Sequence, residues 1–169
     1  MDTDAVDVMM AQWATERPDL DVSSMGVLAR LSLAAHLFGR VLEREYARRG
    51  LNGAAFDVLA TLRRVGQPYR LTPTRLYSAS RISSGTMTNR LDQLERAGLV
   101  TRLPDPQDRR GLLVELTPQG LTAVDALIAA HAELGQRLVD ELPAGEQDHL
   151  VSGLRALLLA LEVAYRADA

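Results

Sequence analysis

The chain has 169 residues, of which 47% are hydrophobic and 24% are charged, and its formal net charge at pH 7 is −3. These values are typical of one folded domain with a substantial core. The absence of cysteine excludes disulfides, thiolate metal sites and thiol chemistry. The histidines His36, His131 and His149 are scattered, so we expect neither a metal site nor a cofactor.

The N-terminal segment "MDTDAVD" is acidic and does not resemble a signal peptide. We identify no apolar run of membrane-spanning length. The sequence therefore predicts a cytoplasmic protein that does not bind membranes.

Arginine is concentrated in the middle of the chain. All 19 basic residues are arginines, and the segment 63–110 holds ten of them against four acidic residues. The rest of the chain is correspondingly acidic. An acidic body with one basic stretch is the charge distribution expected of a protein that binds phosphates.

Apolar periodicity predicts a mainly α chain. The first apolar stripe, which marks a short amphipathic helix, ends at Trp13. A long helix follows it. The predicted elements, in chain order, are a short helix near 6–13, helices over 24–49 and 52–65, a short helix from 73, a helix over 83–97, a β-hairpin with arms 99–103 and 112–116, a helix over 118–141 and a last helix from 143.

Capping residues set the boundaries of these helices. Asn52 is the predicted N-cap of the third helix, and the pairs Thr72-Pro73 and Thr117-Pro118 each place a cap before a proline in the first helical position. Glycine closes three of the helices, at Gly50, Gly66 and Gly98.

A short helix, a turn, a second helix and a β-hairpin together indicate a winged helix-turn-helix. On the second helix Leu91 and Leu94 lie within about 40° of Met87, and the three form a buried face. The opposite face, around Asn89, is small and polar, as expected for a helix that enters a DNA major groove. The alternative is an ordinary solvated face.

The hairpin strengthens the DNA interpretation. Adjacent arginines, Arg109 and Arg110, are predicted to lie at the tip of the hairpin, and arginine is attracted to the negative potential of a minor groove. Asp108 can hold Arg110 in one rotamer through a charge-assisted hydrogen bond. The sequence therefore predicts that the hairpin contacts DNA.

The segments "LNGAAFDVLATLRR" and "LTPTRLYSASRISSGTMTNRLDQLERAGLVTRLPDPQDRRGLLVELTPQG" resemble the MarR family of bacterial transcriptional regulators. The resemblance covers nearly the whole chain. It implies a single domain, 1–169, in which helical regions 1–49 and 118–169 form a homodimer and 50–117 binds DNA. The implied partner is a near-palindromic operator. The DNA-contacting residues expected on this basis are Thr72, Thr74, Arg75, Ser83, Ser84, Thr86, Thr88, Asn89, Asp108, Arg109 and Arg110.

The added N-terminal helix is similar to that of the urate-responsive branch of the family. Four ligand-binding positions of that branch are matched here, by Trp13, Asp57, Arg90 and Arg102. The resemblance thus implies a repressor that a urate-like anion releases from DNA. From the residues alone, alternatives stay open: Trp13 as a core anchor, Asp57 and Arg90 as a structural ion pair, and Arg102 as a phosphate contact.

Three functions other than a urate-responsive repressor make different predictions for this sequence. A regulator of phenolic or small carboxylates would use the same fold and similar groups. A purely structural winged helix would lack salt-dependent DNA affinity. An enzyme is not expected, because the sequence has no nucleophile motif, no clustered histidines and no glycine-rich phosphate loop.

Overall fold

The computed structural model describes the backbone of residues 3–79 and 84–167, and the side chains of these residues except 84–86, 109 and 110. The chain divides into two compact units, Met1–Leu121 and Thr122–Ala169. The elements are α1 (Ala5–Glu16), α2 (Ser23–Ala47), α3 (Gly53–Arg64), β1 (Arg70–Leu71), α4 (Pro73–Ala79), α5 (Ser84–Arg96), β2 (Val100–Asp105), β3 (Asp108–Leu116), α6 (Pro118–Asp140) and α7 (Glu146–Ala167).

The predicted mainly helical, winged helix-turn-helix fold is confirmed. Helices α4 and α5 form the helix-turn-helix, and β2 and β3 pair as an antiparallel hairpin, with Arg102 opposite Val114. The sequence analysis missed β1, which pairs with the other edge of β3 and gives the sheet order β1-β3-β2. Two residues are too few to show the alternation by which a strand is recognised.

The first unit has a core in which the helix-turn-helix packs on α3 and the sheet. The fully buried side chains include three residues on the inner face of α3 and the inner positions of α4, α5 and the hairpin. They are Val58, Leu59, Leu62, Leu76, Leu91, Val100 and Val114. Met87 and Leu94 are also buried, which confirms the predicted inner face of α5. This packing leaves the opposite face of α5 outside the core.

Most predicted helix boundaries hold to within a few residues, because the caps form as expected. The Asn52 side chain accepts a hydrogen bond from the backbone N–H of Ala55 at 2.8 Å. Thr117 accepts one from the N–H of Gly120 at 2.9 Å and donates its hydroxyl to the carbonyl of Gly98 at 2.6 Å. The last helix begins three residues after Pro143, since Gly145 first turns the chain with φ of 85°.

The start of α6 lies very close to Leu99, in the turn between α5 and β2. A Cβ atom added at Gly120 would lie 1.8 Å from the carbonyl oxygen of Leu99. That same carbonyl accepts the backbone N–H of Thr117 at 3.1 Å. Glycine is therefore required at this position by contact with the backbone.

Several helices expose apolar side chains. In the second unit α7 has no buried residue, although it carries leucines such as Leu154 and Leu158. In the first unit α2 is long and apolar enough to cross a membrane by length and composition alone, contrary to the expectation from sequence. The exposed residues of α2 include Met25, Val27, Leu28, Leu33, Leu37 and Phe38.

Candidate DNA interface and ligand site

The outer face of α5 is the first part of the candidate DNA interface. Thr88 and Asn89 are exposed on it, while Met87 and Leu91 on the other side are buried. Ser84 begins the helix, but its side chain and that of Thr86 lie outside the described part of the molecule, as does all of Ser83. The described part of this face therefore offers a hydroxyl and an amide to solvent, where either can meet a base edge or a phosphate.

The preceding helix, α4, adds a second group. Thr74 and Arg75 are exposed in its first turn. Thr72 has a local role, because its hydroxyl accepts the backbone N–H of Arg75 at 3.2 Å and caps the helix. Arg75 is thus the charged member of this group, and Thr72 fixes the backbone from which it projects.

The wing turns at Pro106 and Gln107, so the two arginines do not form its tip, as the sequence had suggested. Arg109 and Arg110 lie on β3 just after the turn, and their side chains lie outside the described residues. The predicted Asp108–Arg110 bond consequently stays a prediction. The turn is tight, because a Cβ at Gly111 would approach the Cβ atoms of Asp105 and Asp108 to 3.1 Å.

Asp57, Arg90 and Glu43 form a charged cluster between α3, α5 and α2. The Asp57 side chain is at the surface of the single chain, yet neighbouring elements remove part of its water. This desolvation raises the pKa of the Asp57 carboxyl, Arg90 opposes the change, and the Glu43 carboxylate adds to it. The Asp57 carboxylate is therefore attracted by the Arg90 guanidinium and repelled by the Glu43 carboxylate.

A stacked aromatic pair, buried Tyr46 and half-buried Phe56, lies beside this cluster. The ring of Tyr46 stacks on Phe56 with centroids 4.7 Å apart and planes at 18°. Burial, together with the negative charges of Asp57 and Glu43, raises the pKa of Tyr46 to about 12. The phenol is thus neutral at physiological pH, and the cluster has an apolar wall on the α2 side.

Arg90 also lines a small cavity of about 150 Å³ at the junction of α3 and α5. The other lining residues are Gly50, Leu51, Asn52, Ala55, Gln93, Leu94 and Ala97. Ligand pockets commonly start at about 300 Å³. A ligand at Arg90 must therefore be small, or it must separate α5 from α3.

Arg102 lies on the other flank of α5. Its terminal nitrogens donate to Asp92 Oδ1 at 2.6 Å and to Glu95 Oε2 at 2.7 Å, and its backbone N–H donates to Glu95 Oε1 at 3.2 Å. At 100° per residue, these carboxylates project about 140–160° around the helix from Arg90. The structure therefore places Asp57 within electrostatic range of Arg90, without a hydrogen bond or ion pair between these two described residues, and leaves Arg102 apart from both.

Trp13, the fourth predicted ligand residue, is 40% exposed on α1. Among the described residues its indole makes no hydrogen bond or ring contact. Its backbone carbonyl accepts a hydrogen bond from the N–H of Arg17 at the end of the helix. Trp13 is therefore not a core anchor of the single chain, although Val6 on the same stripe is buried.

Comparison with known proteins decides which of the expected functions applies. The model of the MarR family matches residues 49–111. The transcriptional regulator PecS of Dickeya dadantii is 38% identical over 154 residues, which cover 91% of this chain and 90% of PecS. The chain belongs to the MarR family.

Solved structures of MarR-family proteins agree with this assignment. A cysteine-to-serine variant of MarR from Escherichia coli, solved with operator DNA, is 30% identical, with a TM-score of 0.69 and coverage of 82% of this chain and 99% of that one. BpsR of Bordetella bronchiseptica, whose DNA binding is regulated by 6-hydroxynicotinic acid, is 25% identical, with a TM-score of 0.65 and coverage of 81% and 92%. This MarR-family chain is accordingly a DNA-binding transcriptional regulator and not an enzyme.

Three residues at the site were not singled out from sequence. Glu43 acts on Asp57 from α2, and Asp92 and Glu95 hold Arg102. The i, i+3 spacing of Asp92 and Glu95 on one helix flank was a usable signal, since an arginine follows soon after the helix. No such signal existed for Glu43, whose approach to Asp57 depends on how α2 meets α3.

Proposed function

We propose that this MarR-family regulator is a homodimeric repressor that a small anion, urate or a related compound, releases from a near-palindromic operator. The observation that carries the ligand part is the electrostatic interaction of Asp57 with Arg90, because Arg90 belongs to the helix that we expect to read DNA. The resemblance of Trp13, Asp57 and Arg90 to ligand-binding positions of the urate-responsive branch of the family supports a urate-type ligand. A protein acting on DNA in this way works in the cytoplasm, at the nucleoid.

The DNA-binding surface that we propose consists of α4, the outer face of α5 and the wing. Exposed Thr74, Arg75, Thr88 and Asn89 support it, together with the two arginines of β3. In a two-fold dimer the two copies of α5 enter successive major grooves about 34 Å apart. The likeness to operator-bound MarR supports this arrangement.

The second copy, in our proposal, covers the exposed apolar faces of the terminal helices. Regions 1–49 and 118–169 then form the dimerisation part of a single functional domain, and 50–117 forms the DNA-binding lobe. The apolar side chains of α2 and α7 support this use, because exposed apolar area of this kind marks an interaction surface. A closed, symmetric dimer is the commonest solution for a soluble chain.

The proposed release step acts through Arg90. A bound anion attracts the Arg90 guanidinium, and α5 moves with it because Arg90 projects from that helix. Protonation of Asp57 removes a negative charge near the anion, so the affinity for an anion that keeps its own charge should increase as the pH falls. A preference of about 1–3 kcal/mol for the non-binding geometry is enough to lower operator affinity usefully.

Reciprocal titrations test this coupling. An operator is first selected from random-sequence duplexes by repeated rounds of binding, and urate affinity is then measured calorimetrically with and without it. We expect operator DNA to weaken urate binding by the same factor by which urate weakens operator binding. Arg90→Ala should bind operator but need a much higher urate dose for release, whereas Arg17→Ala, on the loop after α1, should behave as wild type.

Equal urate affinity with and without operator would contradict the coupling. A second ligand class remains a candidate because BpsR responds to 6-hydroxynicotinic acid. Release by that acid or by salicylate, with no response to urate, would assign the chain to a regulator of small aromatic carboxylates.

A further inference from the structure

The contact between Arg102 and α5 has a role that neither ligand binding nor phosphate contact explains. Arg102 is in β2, at the base of the wing, and its two partners are on the reading helix. We propose that Arg102 is a positioning residue for DNA binding, which fixes the angle between the wing and the reading helix. This inference requires DNA binding but does not require any particular ligand.

The contact bridges the joint between the two DNA-reading elements. Helix α5 ends at Arg96, the chain turns at Gly98 with φ of 70°, and β2 begins at Val100. Arg102 reaches back across this turn with two side-chain hydrogen bonds and one backbone hydrogen bond. A guanidinium bound by two separate carboxylates is held in one orientation. The wing therefore cannot rotate about the glycine turn without breaking charge-assisted bonds.

The position of Asp92 makes the charge of Arg102 important as well. Asp92 projects about 60° from Asn89, which puts a 45%-exposed carboxylate beside the DNA-facing side of α5. An unpaired carboxylate there would repel phosphates. Arg102 neutralises it at 2.6 Å and neutralises Glu95 at 2.7 Å.

Arg102 is at the same time poorly placed for the other two roles. Both of its terminal nitrogens are already used by carboxylates, and its side chain is only 25% exposed. It is also on the opposite flank of α5 from Arg90. A guanidinium that is already neutralised contributes little to counterion release when DNA binds.

The test is a set of operator-binding measurements on the dimeric protein over a range of salt concentrations. Arg102→Ala should weaken operator binding about tenfold. In the triple variant Arg102→Ala, Asp92→Asn, Glu95→Gln, which leaves no carboxylate there to repel DNA, the slope of log affinity against log salt should equal the wild-type value, whereas loss of a direct phosphate contact would reduce it by about one. Arg17→Ala, which breaks an exposed ion pair with Asp19 at 2.7 Å, is the matched control and should leave affinity unchanged.

A mutant cycle separates the positioning role from direct contact. In a background carrying Asp92→Asn and Glu95→Gln the wing is already released, so Arg102→Ala should have a clearly smaller effect there than in the wild type. Arg102→Lys keeps the charge but cannot give each carboxylate its own nitrogen in a fixed plane, and we expect only partial recovery.

Three results would overturn the proposal: wild-type affinity in Arg102→Ala, equal losses in both backgrounds, or full recovery with lysine. Half-exposed ion pairs contribute little to stability, so the variants should fold, and thermal melting verifies this. Failure of the wild-type protein to bind any selected duplex would instead count against the DNA-binding function itself.

Discussion

At the scale of single residues, the candidate ligand site depends on one carboxyl group in an unfavourable environment. Asp57 is partly desolvated and has Glu43 nearby, and Arg90 compensates only in part. A carboxyl whose pKa is raised on folding favours the folded state when it is protonated. Its contribution is fully present below the unfolded pKa, near 3.8, and is lost as the pH rises through the folded value.

The raised pKa of Asp57 leads to a prediction for Asp57→Asn. The amide resembles the protonated carboxyl, so the variant should melt at a higher temperature than the wild type at pH 7. The difference should shrink as the pH is lowered and Asp57 itself takes up a proton. Thermal melts from pH 7 down to pH 4.5 measure it, and Glu133→Gln, at an exposed position on α6, serves as the control. A lower melting temperature at pH 7 would mean that the Arg90 attraction outweighs desolvation.

At the scale of elements, the boundaries of the helices were predictable because caps are local. Asn52, Thr117 and the glycines after α2, α3 and α5 act within a few residues of themselves. The placement of Asp57 and Arg90 in one ligand site, which the resemblance implies, stays a prediction. The pairing of Arg102 was not, because the sequence showed the charges but not the angle at which β2 returns along α5. Strand β1 was missed because its pairing with β3 is non-local.

The junction of β2 and α6 gives a prediction at this scale. Gly120→Ala would force a Cβ against the Leu99 carbonyl and displace the hydrogen bond from Thr117. We expect the free energy of unfolding to fall by about 2–3 kcal/mol or more, measured by chemical denaturation. Gly135→Ala, on the same helix with no atom near the new Cβ, should instead gain about 0.5–1 kcal/mol from helix propensity. Similar effects of the two changes would disprove the steric argument.

At the scale of the whole molecule, the proposed dimer depends on apolar helix faces that are exposed in the single chain. An α7 of 22 residues without a buried side chain gains no core stabilisation in the single copy. Its exposed leucines at 150, 154, 158 and 161 fall on one face by helical spacing. In the proposed dimer this face becomes interior.

The dimer is tested by placing charge on that face. Leu154→Asp combined with Leu158→Asp should give a monomer with strongly reduced operator affinity, because a single reading helix remains per particle. Both side chains are exposed in the single chain, at 44% and 49%, so each unit should otherwise keep its fold. Sedimentation velocity and operator binding are the measurements. Arg155→Asp, a comparable acidic change on α7, should stay dimeric, and a dimeric double variant would exclude α7 from the interface.

The attachment of α1 has its own consequence. Arg30 on α2 donates to Asp4 and Asp7, the two carboxylates that also form the N-terminal capping box of α1. The Arg30 hydrogen bond lowers the pKa of Asp4, so this attraction is present above about pH 3.8 and disappears in acid as the carboxylate is protonated. The charged groups of these ion pairs are about half exposed, and Val6 is the one buried residue of α1. Salt should therefore weaken the attachment of α1 to α2. Ionic strength should therefore affect the position of Trp13, which α1 carries, as well as the proposed phosphate contacts.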